Sequence, residues 1–311
     1  MSDFYAANLV LIQSMFIGIL LALSVQVPMR AGVFSFAGAG SYGIGAYVSA
    51  ILVLKTGMPS LLAILVAGLI AMMVGLLLGL LVAHLGGLYL AMATVSFDLI
   101  ISVLAINGGD LTGGVTGLFG VLSDVTIFHL LALALLGIVG VALTERGRVG
   151  RRVDAVRDDP ELAQSVGISV RRYRLAAFVI SGLLGSVAGS LNSLVRSTIS
   201  PSDIGFSLIV LALTMIIVGG AQSWKGAVIG AVIFTWLPPL LAGLGQLQHV
   251  VYGLIVAAAA IFVPGGLYGI YSEARYRRAR SRRQAPQSDV PAHEQALAIS
   301  VPGGTTSGSP T

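Results

Sequence analysis

The sequence of 311 residues contains no cysteine. That removes a disulfide framework, a thiolate nucleophile and any cysteine-based metal site. Charge is scarce too. Asp, Glu, Lys and Arg make up 10% of the residues, against about 25% in an ordinary soluble domain. The four histidines, at 84, 129, 249 and 293, are scattered. None pairs with acids at metal-ligand spacing, so no metal site is expected. No GxxxxGK[ST] run occurs, and GGAQSWKG (219–226) does not fit one, which excludes ATP hydrolysis through a P-loop of its own. GxSxG is absent and no Ser-His-Asp set suggests itself, so no catalytic residue is expected. The N-terminal MSDFYAANLVLIQ lacks a positive n-region, and a cleaved signal peptide is not expected.

What is present is apolar. Hydrophobic residues are 56% of the chain and the mean hydropathy is +0.94. A soluble core could not absorb that much apolar surface, so the composition implies an all-α, polytopic transmembrane bundle. The 40 glycines are about twice the ordinary frequency and suit close helix contacts in a bilayer. The net charge of +5 comes from two basic clusters. It fits a topology signal rather than a nucleic-acid-binding face.

Runs of about 20 apolar residues mark spans, and about 8–10 membrane segments are expected. They run near 8–27, into 32–54, then 61–83, 88–106, 127–143, 175–195, 206–218, 227–244 and 250–270. The stretch from Gly32 to Gly45 is too rich in Gly and Ser for a plain lipid-facing helix and reads as a buried, broken or re-entrant segment. The pairs Gly75 and Gly79, Gly185 and Gly189, and Gly226 and Gly230 have small-xxx-small spacing, expected to pack helices within the bundle. Residues 1–272 form the expected membrane domain. Residues 273–311 hold a basic juxtamembrane cluster, RYRRARSRR (275–283), and a tail expected to be disordered. The Arg cluster could meet anionic lipid headgroups or simply set topology.

The polar loop 145–174, ERGRVGRRVDAVRDDPELAQSVGISVRRYR, carries eight of the chain's 18 Lys and Arg residues. Such a loop stays in the cytoplasm, and the same rule places the C-terminal cluster there. Asp158 or Asp159 can cap a helix, Pro160 suits its first position, and Glu161 favours the positive dipole end. Gly167 suits its C-terminal αL position. A short helix over 160–166 is expected, with Leu162 and Val166 on one face. Before it, Val149, Val153 and Val156 recur at helical spacing, a piece expected to lie along the membrane surface. A plain linker needs neither a cap nor an apolar face, so the loop is expected to dock a partner.

The segment GRVGRRVDAVRDDPELAQSVGISVRRYRLAAFVISGLLGSVAGSL resembles the permeases of ABC-type branched-chain amino acid importers. Further matches are SFAGAGSYGIGAY (35–47), GLYLAMATVSF (87–97), LTGGVTGL (111–118) and ISPSDIGFSLIVLALTMIIVGGAQSWKGAVIGA (199–231), in the order of the permease type with GIGAY and LTGG segments. The resemblance covers roughly 10–272. It implies that Arg157, Asp158, Asp159, Pro160, Glu161, Leu162 and Gly167 form the coupling element for a separate ATP-binding subunit. It also implies a second, homologous permease, two ATP-binding subunits carrying ATP and Mg, a periplasmic solute-binding protein, and no cofactor on this chain. The setting would be a bacterial inner membrane, in contact with its lipids. Two positions depart from the family: Gly38 stands where a His is frequent, and Leu99 where a Glu is frequent, with Asp98 one place earlier.

Candidate pathway residues are Ser35, Tyr42 and Tyr47 in the Gly-rich segment, and Ser96 and Asp98 in the fourth span. The hydroxyls could meet a solute or satisfy nearby backbone. Asp98 could line the pathway near a substrate ammonium, or make a structural hydrogen bond or ion pair, for instance with Arg30 or Arg196. The leading expectation is inward transport of branched-chain or related hydrophobic amino acids. The alternatives are the same machinery carrying urea, short amides or another small solute, and a secondary transporter.

Overall fold

The computed structural model describes residues 2–82, 84–262 and 265–269. The basic cluster at 275–283 and the tail lie outside the described residues. Helices dominate: α1 (Ser2–Arg30), α2 (Ala37–Thr56), α3 (Ser60–Leu81), α4 (Gly87–Asn107), α5 (Ile127–Thr144), α6 (Gly147–Asp158), α7 (Pro160–Ser165), α8 (Val170–Arg196), α9 (Phe206–Gly219), α10 (Trp224–Leu241) and α11 (Gln248–Phe262). Among the described residues, eight helices are long and apolar enough to cross a membrane, and Val250–Ala259 is a shorter apolar one. The chain is a multi-pass membrane protein.

Its packing inverts that of a soluble bundle. On α3 the residues turned inward are mostly small: Ser60, Ala63, Ala67, Gly68, Ala71, Gly75 and Gly79, with Ile64 and Leu78 the two large ones among them. The bulky Leu65, Leu69, Met73, Leu77 and Leu81 face outward. Lipid tails are as apolar as leucine, so large side chains gain nothing by turning inward, while small ones let backbones approach.

The centre is the contact of α2 with α8. A Cβ on Gly45 would collide with the Ser186 backbone, one on Gly185 with the Gly38 carbonyl, and one on Gly189 with the Tyr42 carbonyl. Each helix therefore needs glycine where the other's backbone crosses it. Ser190 Oγ donates to the Gly45 carbonyl at 3.0 Å, and the Ser49 and Ser193 hydroxyls lie 3.3 Å apart.

This corrects the expectation of a broken or re-entrant Gly-rich stretch. The break is confined to residues 31–36, and from Ala37 the helix is continuous. The glycines serve close approach to α8 rather than an irregular backbone. The three small-xxx-small pairs behave as expected. Gly75 and Gly79 meet Phe178 of α8, Gly185 and Gly189 meet α2, and Gly226 and Gly230 meet the backbone of α9.

The bundle has two distinct ends. At one lie α6, α7 and the start of α8. At the other, Leu118 pairs with Ile199 and Phe119 with Thr198, as short antiparallel strands β1 (Leu118–Phe119) and β2 (Thr198–Ile199). The Gly-rich loop 107–120 is fastened there, with Lys55 Nζ donating to the Asp110 carbonyl at 2.9 Å, and just beyond the loop Ser123 Oγ donates to the Leu194 carbonyl at 2.7 Å.

Candidate functional site

The polar loop is an ordered helical corner. Asp159 Oδ1 accepts from the backbone N–H groups of Glu161 (3.0 Å) and Leu162 (2.9 Å), and Pro160 takes the first helical position. Helix α7 runs to Ser165, one residue short of the expected end, and Gly167 adopts φ +82°. Ala163, 2% exposed, packs with Val156 and Val170, which ties α7 to α6 and α8. Leu162 and Val166 remain 62% and 67% exposed. The apolar face expected from the sequence is therefore present, unburied, on a capped helix held in place by its neighbours. Val156 fills this small core, so helix α6 turns it toward protein rather than a membrane surface.

One ion pair and one close backbone approach root the corner in the bundle. Arg30, only 8% exposed, donates from Nη2 to Asp154 Oδ1 at 3.2 Å. Arg157 pairs with Asp158 at 2.9 Å, and its backbone faces Gly32 (φ +74°), where a Cβ would come within 3.0 Å of the Arg157 Cα. The end of α6 thus presses on the turn between α1 and α2.

Glu145, just past α5, is the second root. Its carboxylate accepts from the backbone N–H of Trp224 (2.6 Å), the Ser223 hydroxyl (3.1 Å) and the Gln26 amide (3.3 Å). It joins α1, α5 and the first turn of α10. Burial pushes its pKa above the ordinary value, partly offset by the Trp224 N–H, the charge of Arg30 and the bonds from Ser223 and Gln26. The sequence reading missed this residue. Its signal was an acid at the end of a span, facing a Ser-Trp pair that starts another.

The pathway candidates scatter. Ser35 Oγ accepts from the Ala37 N–H at 3.2 Å and steadies the start of α2. Ser96 is exposed, while Asp98 on the same helix is 1% exposed. Leu99 points outward and Asp98 inward, with the α4 backbone at Asp98 close to Gly40 of α2. Both Asp98 oxygens lack a hydrogen-bond partner among the described residues, as does the Tyr47 hydroxyl. Arg30 is taken by Asp154, so the suggested Asp98–Arg30 pair does not form. Tyr42 lines a cavity among α1, α2, α8, α9 and α10. Gly38 abuts Ser24 and Ser181 so closely that a Cβ there would clash, so this bundle leaves no room for the histidine frequent at that place. Among the described residues no group of His, Cys, Asp or Glu could hold a metal ion.

The family described as "Branched-chain amino acid transport system / permease component" matches residues 7–263. The chain belongs to that family. This permease is 28% identical over 281 residues to the high-affinity branched-chain amino acid transport system permease protein LivM of Escherichia coli K12, covering 79% of this chain and 66% of the relative. The chain thus spans about two thirds of that relative's length. It is 29% identical over 166 residues to the probable branched-chain amino acid transport permease protein LivH of Methanocaldococcus jannaschii, covering 50% of each. It is 38% identical over 113 residues to the xylose transport system permease protein XylH of E. coli K12, covering 35% of this chain and 28% of the relative. No solved structure matches this permease.

Proposed function

We propose that the chain is a membrane-spanning subunit of a bacterial ABC importer that moves branched-chain or related hydrophobic amino acids inward. The observation that carries it is α7: a short helix, capped by Asp159 and anchored through Ala163, that leaves Leu162 and Val166 bare. An apolar patch on a rigid corner suits a groove on an ATP-binding partner, with Arg157, Asp158, Glu161 and Gly167 around it. The loop 145–174 and the C-terminus would face the cytoplasm, in keeping with the basic residues. The β1–β2 end would then face the periplasm and meet a solute-binding protein.

In the assembly, a second, homologous permease and two ATP-binding subunits complete the machine, and ATP with Mg binds to those subunits. This chain supplies the pathway wall and the transmission of force, and no bond chemistry. Closure of the ATP-binding subunits displaces α7. Through Arg30–Asp154 and Gly32–Arg157 the motion reaches α1 and α2, and through Glu145 it reaches α10, rocking the bundle as a body. Membrane lipids cover the leucine-rich outer faces.

The cargo has a second reading. Similarity to a xylose permease and to the autoinducer 2 import permease LsrD fits the same machinery carrying another small solute. The test is uptake of labelled leucine, xylose and urea into proteoliposomes holding the complete transporter, with and without internal ATP. ATP-dependent uptake of leucine alone supports the amino-acid reading. Uptake of leucine without ATP would overturn the ABC assignment in favour of a secondary transporter.

A further inference from the structure

Helices α1, α2, α8, α9 and α10 line an open cavity of about 370 Å³ toward the β1–β2 end, within the usual range of small-molecule sites. Its walls divide by chemistry. Ile17, Leu208, Met215 and Phe234 are buried and apolar. Tyr42 and Asn192, both over nine-tenths buried, and Arg196 line another part. None of these three makes a side-chain hydrogen bond within the described residues, and Arg196 has no ion-pair partner there. Arg196 itself is exposed at the end of α8, so it sets an available positive charge at the open edge of the cavity, beside the buried hydroxyl of Tyr42 and amide of Asn192. The larger crevice of about 600 Å³ among α1, α3, α5 and α8 is lined almost wholly by aliphatic groups. It has nothing to orient a polar solute.

We propose that the Arg196 cavity is a binding site for a small aliphatic carboxylate, with Arg196 holding the carboxylate, Asn192 and Tyr42 donating further hydrogen bonds, and Ile17, Met215 and Phe234 receiving the hydrocarbon part. Guanidinium and carboxylate match as a bidentate pair. An aliphatic amino acid has this outline, so the inference deepens the amino-acid reading above and, for transport, rests on it.

The test uses the complete transporter, purified and reconstituted, with three variants: R196Q, R196K and the cavity-filling L211W. Two readouts run in parallel. One is ATP-driven uptake of labelled L-leucine beside ATP hydrolysis. The other is thermal stabilisation of the detergent-purified complex by L-leucine and by 4-methylpentanoate, with L-leucinamide as the probe lacking the carboxylate. Wild type should be stabilised by both carboxylates and not by the amide. R196Q should weaken that response at least tenfold and cut uptake at least tenfold while hydrolysis continues. R196K should retain part of both, since it keeps the charge and loses the bidentate geometry. L211W should lose both responses without any change of charge. Carboxylate-dependent stabilisation that persists in R196Q overturns the site, and so does equal stabilisation by the amide. If the wild type is stabilised but takes up no leucine, the site stands and the transport reading falls. A wild type neither stabilised nor transporting overturns both.

Discussion

Arg30 at the end of α1 and Asp154 in α6 meet at 3.2 Å across 124 residues of sequence. The arginine is nearly buried and the aspartate about half exposed, so the pair is unequal. Removing the aspartate takes the direct partner from a guanidinium with little water, leaving only the charge of Glu145 nearby, whereas removing the arginine leaves an aspartate that meets solvent and has Arg157 at 3.9 Å. Asp154→Ala should therefore destabilise the purified protein by about 2 kcal/mol, and Arg30→Met by less. The double variant should recover part of the loss. Thermal unfolding of all four species in detergent measures the coupling, and strict additivity would mean that the pair joins nothing.

A second expectation separates docking from folding at α7. Leu162→Asp and Val166→Asp alter exposed positions and should shift stability by about 0.5 kcal/mol or less. They should nonetheless abolish recovery of an ATP-binding subunit in mild-detergent purification. Ala163→Asp sits between them in sequence but in the small core with Val156 and Val170. It should cost about 2 kcal/mol or more through an unpaired buried carboxylate. If the outward variants retain the subunit, α7 is not the docking element.

The difference between these neighbours marks what could be read from sequence. Asp159, Pro160 and Glu161 announced a helix because capping is local: the cap and its N–H partners lie within three residues. The spans were legible for the same reason, since bilayer thickness imposes length on each helix separately. The Gly-rich segment was misread because a broken backbone and a close helix crossing call for the same composition. Only the α8 partners, Ser186 and Gly189, decide between them, and they lie more than 140 residues away. The inward turn of Asp98 needed the packing of α4 on α2. Glu145 stayed hidden because Gln26, Ser223 and Trp224 come from opposite parts of the chain.

The crossing of α2 and α8 makes its own prediction. Gly189→Ala would push a methyl group into the Tyr42 carbonyl, an overpacking worth about 1–3 kcal/mol. Gly140, also in mid-helix on α5, has no atom within 4 Å of the position a Cβ would take. Gly140→Ala should be neutral, or stabilising by about 1 kcal/mol through helix propensity. Comparable unfolding temperatures for the two variants would rule out close approach as the reason for glycine on α8.

Glu145 gives a prediction with a sign in pH. Its ordinary value is 4.5, and burial raises it in the fold. The folded state then holds the proton more tightly than the unfolded chain. Below about pH 4.5 both states are protonated and the residue costs nothing in charge. As pH rises from there through the raised folded value, the unfolded chain ionises first, and the contribution of Glu145 to stability falls. Above that value it stays constant at its lowest level. Glu145→Gln removes the titration and keeps an oxygen that can accept from the Trp224 N–H, so its stability should vary less across this window. Glu145→Ala leaves the Trp224 N–H and the Ser223 hydroxyl without their acceptor and should lose about 1–3 kcal/mol at every pH. Unfolding midpoints of the three proteins between about pH 4 and pH 7 decide it. An equal slope in wild type and the Gln variant would mean that the junction of α1, α5 and α10 titrates through some other group. Loss of ATP-coupled uptake in the Ala variant, with the ATP-binding subunit still bound, would place Glu145 between the docking corner and α10.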